Sequence, residues 1–235
     1  MPKPPPRRSL VTGANRGLGL EFVHQLLARG DHVIAACRHP GRASALNQLA
    51  GQHPGRLHVL PLDVADEKSR TAFAHELPLV TEGIDLLINN AGVLHSGERW
   101  GSVSAANLED SLRTNAMGPF LLTQALTAQL VDGATVANVS SMMSSLSGDP
   151  DFNAPSYRIS KTALNMATLM LARALAPRGI AVVALCPGWV LTDMGGSGAE
   201  ISATDSVSAL LQVVDAVGPD RSGQFLDRFG ATMPW

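Results

Sequence analysis

Tyrosine, lysine and cysteine are all scarce in this chain of 235 residues, which has one tyrosine, two cysteines and three lysines against fifteen arginines. Cys37 and Cys186 follow neither disulfide-framework nor metal-ligand spacing, so they read as reduced, buried thiols of a cytoplasmic protein. The seven histidines include no H-x-x-x-H pair, and no metal is expected. No apolar run is long enough to span a bilayer. The opening "MPKPPPRRSL" lacks the apolar stretch of a signal peptide, and residues 1–8 are expected to form a short tail. Neither charge sign is in excess: the formal net charge is -2, which argues against a surface built for nucleic acid or anionic lipid. No linker, repeat or low-complexity block divides residues 9–235, which read as one domain. "NVS" at Asn138 matches a glycosylation acceptor but falls in an apolar run expected to be buried, and is set aside.

What the chain has is 45% hydrophobic residues arranged in short apolar runs between longer amphipathic stretches. "RRSLVTG", "HVIAACR", "RLHVLPLDV", "IDLLINNAG", "ATVANVSS", "IAVVALCPG" and "SGQFLD" read as strands. Helices are expected between them, including a long one from about 106 to 130 bent near Pro119, and another through "PSYRISKTALN", which begins at Pro155, to about Ala176. Strands that are apolar throughout belong in a sheet covered on both faces. The expected fold is therefore α/β: a doubly wound, parallel, seven-stranded sheet with helices on both sides, Rossmann-like.

"TGANRGLG" stands at the first strand-to-helix junction, with Gly13, Gly17 and Gly19 around Asn15, Arg16 and Leu18. Gly13 permits a tight turn, Gly17 lets backbone approach a pyrophosphate, and Gly19 lets helix and sheet pack closely. An ordinary glycine turn would look similar. Position sharpens the nucleotide reading, because Arg38 ends the second strand where such folds meet the adenosine ribose. An acid there would suit NAD(H). Arg38, with Arg16 as a second cation, suits a 2′-phosphate, so NADP(H) is expected over NAD(H). The sole tyrosine, Tyr157, stands four residues before Lys161, which puts both on one helix face.

With that turn, "NNAG" at Asn89 to Gly92, "NVSS" at Asn138 to Ser141, "YRISK" and "PGWVLTDM", the chain resembles the short-chain dehydrogenase/reductase family of the compact single-domain type. "VTGANRGLGLEF", "ACR", "YRISKTALN" and "FGATMPW" look like its C-factor and Sniffer-like carbonyl reductases. The resemblance implies an NADPH-dependent oxidoreductase that reduces a ketone or aldehyde to an alcohol. It also implies a catalytic set of Asn115, Ser141, Tyr157 and Lys161. Tyr157 would exchange a proton with the substrate oxygen, and Ser141 would hydrogen-bond it. Asn115 would kink the long helix and hold a water leading to Lys161. The lysine would also bond the nicotinamide ribose. Asp63 and Val64 would meet the adenine, and Asn89, Ala91 and Gly92 would line the adenosine half. After Pro187 and Gly188, Val190 and Thr192 would hold the nicotinamide amide.

A lysine cation about 5 Å from a phenol, at an effective dielectric of about 20, favours the phenolate by roughly 3 kcal/mol, or about two pKa units. Tyr157 is expected to be lowered accordingly. The short "GGSGAEIS" after Met194 implies an open or mobile pocket, with Trp100, Met142, Met143, Trp189 and Met194 as candidate apolar wall. "ALNMATLMLARALA" is apolar nearly all round, which together with the resemblance implies a homodimer or tetramer. C-factor relatives are linked to developmental signalling, so a nucleotide-binding regulatory protein with little turnover is the alternative.

Overall fold

The computed structural model describes residues 6–147 and 151–235. Seven strands, β1 (Arg8–Thr12), β2 (His32–Cys37), β3 (Leu57–Pro61), β4 (Ile84–Asn89), β5 (Leu130–Val139), β6 (Ala181–Cys186) and β7 (Phe225–Asp227), form one sheet in the order β3-β2-β1-β4-β5-β6-β7. Every neighbouring pair is parallel. Strand side chains alternate between faces, so apolar runs feed two cores. Leu10, Ile34, Leu87, Val136 and Val182 go to one, while Val11, Val33, Ile88, Ala137 and Val183 go to the other.

One face carries α1 (Gly17–Arg29), α2 (Ser44–Gln52) and α7 (Ala203–Ala216), which bury Phe22, Leu46 and Leu210 against it. The opposite face carries α3 (Glu67–Glu76), α4 (Ala105–Leu112), α5 (Gly118–Ala125) and α6 (Pro155–Leu175), with Phe73, Leu122 and Leu171 in its core. The doubly wound architecture read from the sequence is the observed one.

Three local details differ from the expectation. The long helix is interrupted not at Pro119 but by a π turn over Arg113–Met117. Pro119 lies just beyond this turn, in the first turn of α5. The helical stretch ends at Ala125, and Leu130 already opens β5. At the other end Arg8 belongs to β1, its backbone and guanidinium both bonded to Asp85 at 2.8 Å, so the described part of the expected tail is tied down. Asn138 is fully buried, accepting from Asn89 and donating to Thr168, and is closed to glycosylation.

β1 and β4 are sheet neighbours, and the chain turns to opposite faces on leaving them. A cleft opens at their carboxyl ends, where doubly wound folds gather their functional residues.

Candidate active site

The cleft encloses about 550 Å³ and is lined from one end by the glycine turn and from the other by Ser141, Tyr157 and Lys161. Gly13 and Gly17 adopt φ of 63° and 53°, a region open to glycine at little cost. A Cβ on Gly13 would lie 2.8 Å from Ala91 Cα. Gly19 is buried outside the cleft, where a Cβ would come within 2.2 Å of the Gly13 carbonyl oxygen. Its role is the helix–sheet contact. Arg16 caps α1 with backbone alone, so the first-turn amides and the positive end of the helix are available to an anion in the cleft.

Asn15, Arg16, Gly17, Leu18, Arg38, Asp63, Val64, Ala91 and Gly92 line the cleft. Asn89 does not. Its side chain is buried between β4, β5 and α5, donating to Asn138 at 2.9 Å and to Thr123 at 3.2 Å. Strand alternation turns it inward, and the next residue, Asn90, faces the cleft and bonds the carbonyls of Thr12 and Gly13. Arg16 ion-pairs with Asp193 at 3.0 Å, and both residues line the cleft along with Arg38. A further cation that lines the cleft is Arg42, on the short helix Pro40–Arg42 that follows β2. Its spacing of four from Arg38 in "RHPGR" was the available signal.

Tyr157 and Lys161 lie on the buried face of α6, at 8% and 4% exposure, with the ammonium 5.7 Å from the phenol ring centre. Lys161 Nζ donates to the Val139 carbonyl at 2.7 Å. Burial pushes Tyr157 up to about 12; a hydrogen bond with Ser141 acts downward and the Cys186 thiol upward. Burial also brings Lys161 down to about 8. The expected lowering of Tyr157 by the lysine is not found in the protein alone: burial raises Tyr157, and Lys161 is not among the groups that act on it.

Ser140 and Ser141 divide as strand geometry requires. Both line the cleft, but Ser140 is buried with its hydroxyl donating to Asn165 at 2.7 Å, whereas Ser141 is partly exposed there. Asn115 is fully buried in the π turn. Its amide clamps Val93 N and O at 2.8 and 2.9 Å and donates to Ser160 Oγ at 2.9 Å. It therefore braces the cleft wall against α6 rather than lining the cleft.

Pro187, Gly188, Val190 and Thr192 line the cleft, Thr192 standing beside Gly17 of the glycine turn, with Met143, Trp189 and Met194 as apolar wall. Trp100 and Met142 stand outside it, exposed. The segment after Met194 is more constrained than its glycines suggest. Trp189 Nε1 donates to Gly195 O at 2.8 Å, Thr192 Oγ1 accepts from Gly195 N, and Leu191 N donates to Ile201 O at 2.8 Å. Among the described residues no group could hold a metal, and no helix is long and apolar enough to cross a membrane.

The sequence matches the family model for short chain dehydrogenases over residues 7–201. A curated relative, C-signal of Myxococcus xanthus, is 44% identical over 157 residues, covering 66% of this chain and 95% of its own. The carbonyl reductase Sniffer of D. melanogaster superposes with a TM-score of 0.93 at 33% identity, covering 98% of this chain and 100% of that one. An NADPH-bound carbonyl reductase from chicken fatty liver gives 0.89 at 37%, covering 98% and 99%. The motifs, the sheet order and a match spanning most of the chain agree: this protein belongs to the short-chain dehydrogenase/reductase family.

Proposed function

We propose that the protein is an NADPH-dependent reductase that converts a ketone or aldehyde to an alcohol. The observation that carries this is the convergence of Ser141, Tyr157 and Lys161 at one end of a cleft whose other end is a glycine turn with adjacent arginines. The residues fit a dinucleotide. Glycine 13 leaves no room for a side chain, the amide end of α1 is uncapped by any side chain, and Arg38 and Arg42 are exposed on the cleft wall beyond β2. Arg38 and Arg42 would hold a 2′-phosphate, Asp63 and Val64 the adenine, Lys161 the nicotinamide ribose, and Val190 and Thr192 the amide. Bound NADPH supplies the hydride.

The remaining chemistry belongs to the chain. Ser141 donates a hydrogen bond to the carbonyl oxygen as negative charge gathers there. Tyr157, held near 12, is fully protonated at neutral pH, the state a proton donor for reduction requires. Lys161, near 8, remains an ammonium in the same range and stabilises the phenolate left behind. A regulatory protein that only senses a nucleotide needs no such donor, and this favours turnover over the C-factor-type alternative.

The nucleotide preference is tested by titrating the purified protein with NADPH and NADH. NADPH is expected to bind more tightly, and Arg38→Glu to weaken it by about 10²-fold with little effect on NADH. Equal binding of both nucleotides, unchanged by the substitution, would remove the 2′-phosphate role.

Two free, buried cysteines suit a reducing compartment, which supports a cytoplasmic location. On α6 the half-exposed Ile159, Met166 and Met170 form one outward stripe, and half-exposed Met117 lies in the π turn that packs against this helix. This apolar stripe supports a homodimer. Sedimentation at twice the 24.6 kDa chain mass is expected; a single chain at micromolar concentration would exclude the dimer, and four chains would make it a tetramer.

A further inference from the structure

α6 begins without the cap its sequence position calls for. Its N-cap is Ala154, which has no side chain to offer the helix amides and lies at φ 43°, ψ 51°, the one positive φ outside glycine among the described residues. Pro155 carries no N–H, so Ser156 holds the first helical amide in need of an acceptor. That acceptor comes from 58 residues away. Glu98 Oε2 accepts from Ser156 N at 3.1 Å, and Glu98 Oε1 accepts from Ser156 Oγ at 2.7 Å.

Glu98 is only 4% exposed. Burial acts to raise its pKa, but the Ser156 hydrogen bonds, Asn107 and the nearby His95 hold it below the ordinary carboxylate value. A buried carboxylate with that many donors is a committed contact rather than a solvated side chain. The negative charge also sits at the positive end of a helix of 21 residues. Trp100 packs edge-on against Phe152 at 5.6 Å, a second link between the same two segments.

The residue after Ser156 is Tyr157. From below, Tyr157 O accepts from Ser160 Oγ at 2.8 Å, and Ser160 Oγ in turn accepts from Asn115. Lys161 is anchored independently, on Val139. The first turn of α6 is thus pinned at one end by Glu98 and at the other by Asn115, with Tyr157 between them.

We propose that Glu98 is a positioning residue for Tyr157, acting through Ser156 to fix the turn that carries the phenol. The inference rests on the reading of Tyr157 as the proton donor. Its effect is confined to that turn: without Glu98 the phenol loses its setting, while Lys161 and the nucleotide end of the cleft keep theirs.

The single tyrosine allows a test independent of activity, because protein labelled with ring-¹³C tyrosine gives one signal, that of Tyr157. Glu98→Ala is expected to shift or broaden that signal and to lower kcat by about tenfold or more, with KM and NADPH affinity within about twofold. Glu98→Gln can still accept from Ser156 N and can donate to Ser156 Oγ. It is expected to restore the parental signal and most of kcat. A Glu98→Ala protein with the parental tyrosine signal and kcat overturns the proposal. So does a Glu98→Gln protein that fails as badly as Glu98→Ala, which would make charge and not position the operative property. NADPH affinity falling in step with kcat would also overturn it, because the effect would not be local. Should the parent reduce no carbonyl, the reductase reading fails, and the tyrosine signal alone decides whether Glu98 sets the turn.

Discussion

Tyr157→Phe is expected to lower carbonyl-dependent NADPH oxidation by about 10³-fold while leaving nucleotide affinity within about twofold. The ring remains to fill the same buried volume, and only the hydroxyl and its hydrogen bond with Ser141 are lost. Folding stability should therefore change by no more than about 1 kcal/mol. Steady-state rates, an NADPH titration and a thermal unfolding curve on the same preparation separate these effects. Turnover that survives the substitution would remove Tyr157 as the proton donor, whatever happens to stability.

Lys161→Met should act in opposite directions on activity and on stability. An ammonium brought from its ordinary 10.5 to about 8 by burial destabilises the folded protein by roughly 3 kcal/mol at neutral pH. Methionine removes that cost but leaves the Val139 carbonyl without its donor, worth about 1 kcal/mol. The variant is expected to be about 2 kcal/mol more stable without nucleotide and at least about 10²-fold slower. The sign of the pH dependence follows. Because the folded value lies below the unfolded one, the unfolded chain binds more protons between about 8 and 10.5, and stability rises with pH across that window. The Lys161→Met protein should lack this rise. In the parent, kcat for reduction should be level below about pH 8 and decline above it as the ammonium loses its proton. Denaturant curves at several pH values and a pH–rate profile check both; a less stable variant, or a rate rising through pH 8, would contradict the account.

Much of this was legible in the sequence because it depends on local pattern. Continuous apolar strands announced a sheet with two covered faces, and glycine spacing with the helical pair at 157 and 161 marked the two ends of the cleft. What was not legible depends on competition between distant groups. The spacing of Tyr157 and Lys161 puts them on one helix face but carries no sign of the burial that raises the one and lowers the other. Asn89 and Asn90 are chemically identical neighbours, and only the register of β4 decides which meets the cleft. The glycine-rich segment after Met194 suggested looseness, yet Trp189 and Ile201 hold it through bonds that composition cannot reveal. Glu98 lies 58 residues from its partner, in a stretch with no motif to mark it.

The most direct test is to supply NADPH carrying deuterium on the transferring face of the nicotinamide, with a panel of diketones, aldehydes and quinones, and to analyse the products by mass spectrometry. The account predicts that a ketone or aldehyde is converted to an alcohol with one deuterium on the carbinol carbon, and that Tyr157→Phe suppresses its formation. NADPH bound in the cleft with no deuterium entering any product across the panel would contradict it.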